Sequence, residues 1–192
     1  MIDRLIIVTG ASRGIGASLA IESSKKYNEN TLFLLIARDL DKLEKVRSQM
    51  TSQTNRIRLM QMDFSRAEQT VDELEEKLKL AINDDDSFVS SQIKELIVFY
   101  NHGTLRLDTV ERVATFALQE FQVNVTSVWL FLAAIRKLFP LNMIRTQFHV
   151  NISSLLATKF HELFSIYSSS KNYFSISLNF NLINQKKMYF PL

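Results

Sequence analysis

A wholly apolar run, Leu5-Ile6-Ile7-Val8, leads directly into the turn Thr9-Gly10-Ala11-Ser12-Arg13-Gly14-Ile15-Gly16. Apolar residues without alternation read as a strand covered on both faces, as in a parallel sheet. The chain holds only four glycines, and three of them stand in this turn. A helical stretch follows, from about Gly14 to Tyr27. The pattern predicts a strand, a tight turn and the N-terminus of a helix.

The same alternation continues along the chain. Leu32-Phe33-Leu34-Leu35-Ile36 is a second buried run, and Asp39 to Met50 reads as a helix with Asp39 as its N-cap. Arg56 to Met62 alternates like a strand, and Glu68 to Ile82 is helical, with Leu74 and Leu78 at i, i+4 spacing. Leu96 to Tyr100 and Phe148 to Ile152 form the fourth and fifth strands, joined by a long helical segment from about Val110 to Phe139 that ends before Pro140. Alternating strands and helices predict an α/β fold: a doubly wound, mostly parallel sheet with right-handed crossovers and helices on both faces.

Composition narrows the function. At 192 residues, 46% hydrophobic and 22% charged, the chain suits one domain with one core. A net charge of +3 with no long basic block gives no reason to expect nucleic acid as a partner. The absence of cysteine excludes disulfides, thiolate metal sites and thiol catalysis, and the three histidines, His102, His149 and His161, show no metal-ligand spacing. The most apolar stretch, Val128 to Ile135, is broken by Arg136 and Lys137 and is too short to span a bilayer. The first strand begins within a few residues of Met1, which leaves no room for a signal or transit peptide. The expectation is a cytoplasmic protein that binds neither membrane nor nucleic acid.

The glycine turn has a specific chemistry. Gly10, Gly14 and Gly16 form G-x-x-x-G-x-G between a buried strand and a helix. Glycines let a backbone approach a pyrophosphate, and the helix N-terminus offers free N–H groups and a partial positive charge. Proteins that bind NAD tend to place a carboxylate at the end of the second strand for the ribose 2′-OH. Here that position reads Ile36-Ala37-Arg38-Asp39. Ala37 cannot accept a hydrogen bond from its side chain, whereas Arg38 can pair with a 2′-phosphate, with Arg13 as a second cation. These residues favour NADP(H).

Further motifs follow in order: Asn101-His102-Gly103 after the fourth strand, Asn124, Ser154, and Tyr167 with Lys171 four residues later. Together with the glycine turn they resemble the short-chain dehydrogenase/reductase family, whose fold is Rossmann-like. The likeness covers roughly Arg4 to Lys171. Within the family it is closest to the sepiapterin reductases, through Thr9 to Gly14, Ala37-Arg38, Asn124-Val125-Thr126-Ser127 and Val150-Asn151-Ile152-Ser153-Ser154-Leu155.

The resemblance implies NADPH-dependent reduction of a carbonyl, such as a ketone on a pterin side chain in tetrahydrobiopterin synthesis. Tyr167 would donate the proton, and Ser154 would hold the substrate oxygen beside Leu155. Lys171 would tune Tyr167 and bind the nicotinamide ribose, and Asn124 would hold a relay water. On a helix, Tyr167 and Lys171 share a face, and an ammonium beside a phenol favours the phenolate. Ser12, Ile15, Asn101 and Gly103 would line the cofactor beside the glycines, Arg13, Arg38 and Asp39, with Asp63 and Phe64 near adenine. Asp63 can equally be read as a helix cap at the strand end, and Asn124 as a polar residue that kinks a buried helix. Tyr100 and His102 depart from the family's Asn-Asn-Ala-Gly, placing two rings where small or polar residues usually sit. The long helix and the helix carrying Tyr167 would pair two copies into a homodimer.

After Lys171 the resemblance decays. No glycine follows Gly103, and the only proline after Pro140 is Pro191, so the family's Pro-Gly turn has no counterpart. The expectation is a reductase-like unit over residues 1–178, truncated after the fifth strand and its following helix, with an atypical tail at 179–192. Two other functions stay open: a short-chain reductase with a different carbonyl or alcohol substrate, and a catalytically weak dinucleotide-binding or regulatory protein.

Overall fold

The apolar runs become five parallel strands: β1 (Arg4–Thr9), β2 (Thr31–Ala37), β3 (Arg56–Gln61), β4 (Glu95–Tyr100) and β5 (Thr146–Asn151). The computed structural model describes residues 2–27, 30–50, 56–66, 69–83, 93–106, 112, 114–144, 146–158 and 166–172. The tail expected at 179–192 lies outside the described residues, as do Val110 and His161.

The sheet order is β3-β2-β1-β4-β5, every pair parallel. Ile6 sits between Phe33 and Ile97 in register, so β1 is central and its apolar run is covered on both faces. From β1 the chain winds outward through β2 and β3, then returns to β4 on the other side. That reversal opens a crevice at the C-terminal ends of β1 and β4, where α/β sheets place their ligands.

Helices α1 (Gly14–Lys26) and α2 (Leu40–Arg47) accompany the first half of the sheet, α3 (Val71–Ile82) follows β3, and α4 (Ala117–Phe121) and α5 (Ser127–Leu138) precede β5. Residues 166–172 form a last helix, α6. Two buried clusters result, one around Ile6, Val8, Phe33 and Leu43, the other around Leu74, Tyr100, Phe131 and Phe139. Among the described residues no helix is long and apolar enough to cross a membrane.

Three local expectations are corrected. The third helix begins at Val71, because Thr70 closes a capping box, and the expected start at Glu68 lies outside the described residues. Its Oγ1 accepts from the Glu73 N–H (3.2 Å), and the Glu73 carboxylate accepts from the Thr70 N–H (3.1 Å). Asp63 caps no helix; its Oδ1 accepts from the Ser65 N–H (2.9 Å) and Ser65 Oγ (2.8 Å), forming a side-chain turn. The long helix expected through Phe139 is interrupted at Thr115, whose N–H and Oγ1 both bond the Arg112 carbonyl (3.2 and 2.7 Å) and close a tight turn.

The helix then continues through a π-helical turn, Gln122–Thr126, before α5. Ser127 explains the wider turn. Its N–H reaches back to Gln122 O, while its hydroxyl donates to Val123 O (2.7 Å), the carbonyl its own N–H would otherwise have used. The expected N-cap at Asp39 is present, with Oδ1 accepting from the Lys42 N–H at 3.1 Å.

Candidate functional site

The end of β1 dictates the shape of the site. Gly10 takes φ +65°, a conformation that side chains disfavour, and a Cβ there would lie 2.9 Å from His102 Cα. One turn into α1, a Cβ on Gly16 would overlap the Gly10 carbonyl and the Asn101 amide. The loop is thus pressed against the end of β4. Asn101 fastens the two, its Nδ2 donating to Thr9 O and Gly10 O, both at 3.2 Å.

A cavity of about 760 Å³ opens over this junction, within the range expected of a cofactor site. Gly10, Ser12, Arg13, Gly14 and Ile15 line one wall, and Ala37, Arg38, Asp39 and Lys42 a second. Asp63, Phe64, Asn101, His102 and Gly103 contribute a third, which continues to Thr104, Arg106, Gln119 and Val123. Most of the residues expected to bind a cofactor therefore converge. Gly16 lies buried beneath the loop, and Tyr167 and Lys171 are outside the cavity on α6.

Burial opposes ionisation of Asp63, but the Ser65 hydrogen bonds and the charges of Arg38 and Arg66 outweigh it and hold the carboxyl below its usual range. Asp39 is likewise held low, chiefly by hydrogen bonds from Lys42.

The two unexpected rings turn into the core. Tyr100 is buried and its hydroxyl bonds His149 Nδ1 at 2.8 Å. His102 stacks on Phe64, centroids 3.7 Å apart and nearly coplanar. Its Nε2 lies 2.9 Å from Ser127 Oγ and its Nδ1 2.7 Å from Thr9 Oγ1. Because the Ser127 hydroxyl hydrogen is committed to Val123 O, Nε2 carries the proton, and Nδ1 faces Thr9 Oγ1, whose hydroxyl also donates to Phe99 O at 3.1 Å. Burial pushes His102 down to about 3, so the ring is neutral.

Gly103 joins the cavity to the helix that follows β5. A Cβ on it would lie 3.2 Å from both Asn124 Oδ1 and Lys171 Nζ. Lys171 is buried, which lowers it to about 8; its Nζ lies 5.9 Å from the centre of the Tyr167 ring and 3.5 Å from Ile152 O. Asn124 sits in the π-helical turn. Its Oδ1 accepts from the Thr104 N–H (2.8 Å), and its Nδ2 donates to Thr104 O (2.9 Å) and Ser170 Oγ (3.1 Å). The residue expected to hold a relay water thus sits in the widened turn with its amide bonded to Thr104 and Ser170.

One turn earlier, buried Glu120 accepts from the Arg106 N–H at 2.7 Å, so the two side chains together clamp residues 104–106. Burial raises Glu120, against the opposing pull of Arg106. Ser154 heads a short 3₁₀ turn, Leu155–Ala157, where its Oγ accepts from the Leu156 N–H (3.2 Å) and donates to no acceptor among the described residues. Leu155 is exposed beside it.

Several lining residues escaped the sequence reading. Lys42 is three residues beyond the Asp39 N-cap, in the first turn of α2, and could have been found from that placement. Arg106 and Gln119, joined at 2.8 Å with the Arg106 guanidinium 3.8 Å over the Phe116 ring, carried no local signal.

The profile of the short chain dehydrogenase family matches residues 4–176. No match was found among curated proteins. Solved structures of similar fold include the short chain dehydrogenase of Shigella flexneri, 20% identical with a TM-score of 0.75, covering 95% of this chain and 67% of that one. A bulky-bulky ketone specific alcohol dehydrogenase from Comamonas testosteroni is 23% identical, with a TM-score of 0.71 and coverage of 93% and 67%. A short-chain dehydrogenase from Sphingobium yanoikuyae in complex with NADPH is 23% identical, with a TM-score of 0.71 and coverage of 93% and 65%. At these identities the likeness is one of fold.

Proposed function

The chain belongs to the short-chain dehydrogenase family, and from that premise we propose that it is an NADP(H)-dependent oxidoreductase that reduces a small carbonyl compound. The observation that carries the reading is the contact at Gly103, where a cavity holding the glycine loop, Arg13 and Arg38 meets the ammonium of Lys171. The residues fit the cofactor. The phosphate-binding loop has no room for side chains at Gly10 or Gly16, two guanidiniums stand where a 2′-phosphate would be chosen, and Asp63 Oδ2 is available near the base.

When bound, the nicotinamide supplies the hydride. The protein supplies orientation and a proton. Tyr167 donates the proton from its hydroxyl to the carbonyl oxygen, Ser154 holds that oxygen with its hydroxyl hydrogen, and Lys171 favours the phenolate left on Tyr167. The Asn124 side chain is engaged with Thr104 and Ser170, so it contributes by position, fixing the 103–106 wall to the Tyr167 helix.

For the substrate we propose a ketone on a pterin side chain, as for sepiapterin reductase. The support is the set of local sequence likenesses at Thr9 to Gly14, Ala37-Arg38, Asn124 to Ser127 and Val150 to Leu155. Family analogy supports a homodimer through the α4–α5 region and the Tyr167 helix.

Fluorescence titration with NADPH and NADH, beside NADPH oxidation with sepiapterin, tests the reading. NADPH binds more tightly than NADH, and Arg38→Ala weakens NADPH by about tenfold or more through loss of a charge-assisted contact. Tyr167→Phe keeps binding and loses turnover; persistent turnover would sink the mechanism. Turnover of other carbonyls but not sepiapterin would move the substrate within the family. NADPH binding with no turnover would make the chain a dinucleotide-binding regulator.

A further inference from the structure

The end of β2 carries two opposed signals. Arg38 suits a phosphorylated ribose, yet Asp39, the next residue, is the kind of group that selects an unphosphorylated ribose and repels phosphate. Both line the same wall of the cavity. The structure shows what is done with the carboxylate. Asp39 Oδ1 accepts from the Lys42 N–H at 3.1 Å, and Oδ2 pairs with Lys42 Nζ at 2.6 Å. Lys42 itself lines the cavity, so its ammonium stands on the same wall as the carboxylate it covers. The first turn of α2 fixes the arrangement, because residues three apart on a helix are neighbours.

We propose that Lys42 determines cofactor specificity by neutralising Asp39, so that Arg38 and Arg13 present their charge to a ribose phosphate without an opposing carboxylate. The inference rests on the NADP(H) reading above.

The pair is half-exposed and contributes little to folding, as exposed ion pairs generally do. Its consequence is local potential. With Lys42 in place the wall carries the charge of Arg38; without it, Arg38 and Asp39 cancel. The other acidic group nearby, Asp63, is an ionised carboxylate in the field of Arg38 and Arg66, and it is the same in every variant, so a comparison among variants isolates Asp39. A unit charge several ångströms from a dianionic phosphate, in water-like surroundings, is worth about 3- to 10-fold in affinity.

The test is a double-mutant cycle on the full chain, reading NADPH and NADH dissociation constants by fluorescence for wild type, Lys42→Met, Asp39→Asn and the double variant. Asparagine keeps the N-cap, so α2 is preserved. Lys42→Met is expected to weaken NADPH about 3- to 10-fold, leave NADH nearly unchanged, and be offset by Asp39→Asn, so that the double variant binds NADPH about as tightly as wild type. The Lys42→Met loss should also shrink as salt is raised to about 0.5 M. A double variant that still binds NADPH several-fold more weakly than wild type overturns the proposal, because Lys42 would then contact the phosphate itself. An equal loss of NADPH and NADH also overturns it, because Lys42 would then serve only the fold. A wild type that binds both cofactors alike overturns the NADP(H) reading and this inference together, whereas a wild type that prefers NADPH isolates the result to Lys42.

Discussion

A side chain on Gly103 would press on Asn124 and Lys171 at once, so this one residue lets the buried ammonium reach the edge of the cavity. The ammonium is expensive for the fold. Burial lowers Lys171 to about 8 from an ordinary 10.5, which means that the charged form is destabilised in the native state. Below about pH 8 both folded and unfolded chains carry the proton and the penalty is present in full. Between about 8 and 10.5 the unfolded chain binds more protons than the folded one, so stability rises with pH. Lys171→Met should therefore raise stability by about 1–3 kcal/mol at pH 7 while abolishing turnover, and its advantage should fade as pH rises above 8. Chemical denaturation at pH 7, 8 and 9 checks this; a destabilised variant with no pH trend would show that Lys171 is satisfied by its surroundings. The Tyr167–Lys171 spacing was visible in the sequence because four residues is one helical turn. The role of Gly103 was only half visible. Its place after β4 could be read, but not the approach of a lysine 68 positions further on, because that contact exists only once β5 and α6 are folded beside β4.

Among the elements, α3 shows how local chemistry sets a boundary that periodicity misses. The leucines at 74 and 78 mark its buried face, but the capping box of Thr70 and Glu73 sets where it starts. The helix is tied to α5 by Lys137, which pairs with exposed Asp72 at 2.8 Å and buried Glu75 at 2.6 Å. Thr70→Ala removes the acceptor for the Glu73 N–H and should cost about 1 kcal/mol, seen as a fall of roughly 2–4 °C in Tm. Cofactor affinity should be unaffected, because Thr70 does not line the cavity. An unchanged Tm would mean that the α3–α5 packing, not the cap, holds the helix start. The three inner strands were legible because a strand covered on both faces needs an unbroken apolar run, and the edge strands β3 and β5 showed only alternation. The π-helical turn was not legible. It depends on the Ser127 hydroxyl taking Val123 O while accepting from His102, a residue 25 positions away that no local pattern connects to it.

At the scale of the whole molecule, two buried histidines, His102 just past β4 and His149 on β5, are held neutral by the fold. His149 takes its hydrogen from Tyr100 at Nδ1 and faces Gln147 Oε1 at 3.3 Å through Nε2. The Gln147 amide nitrogen is spent on Phe139 O and Pro140 O, which fixes that pattern. His102 is held between Thr9 and Ser127. Burial pushes His149 down to about 4 and His102 to about 3 from an ordinary 6.5. A histidine whose folded value lies below its unfolded one binds fewer protons in the native state, so its stability is complete above pH 6.5 and is lost as pH falls toward the folded value. Each should contribute a slope of up to about 1.4 kcal/mol per pH unit. The carboxylates held low, Asp39, Asp63 and Glu75, begin to matter only nearer pH 4. Glu120 acts with the opposite sign, since its raised carboxyl recovers stability as it is protonated above its ordinary 4.5. Between pH 6.5 and 4.5 the histidines therefore set the balance, and urea denaturation should show stability falling from about pH 6. His149→Gln should remove about half of that slope, because the variant keeps a polar partner for Tyr100 but cannot take up the proton. An unchanged slope would place the acid sensitivity in His102 or elsewhere, and stability that stays flat down to pH 4.5 would show that neither ring is held neutral.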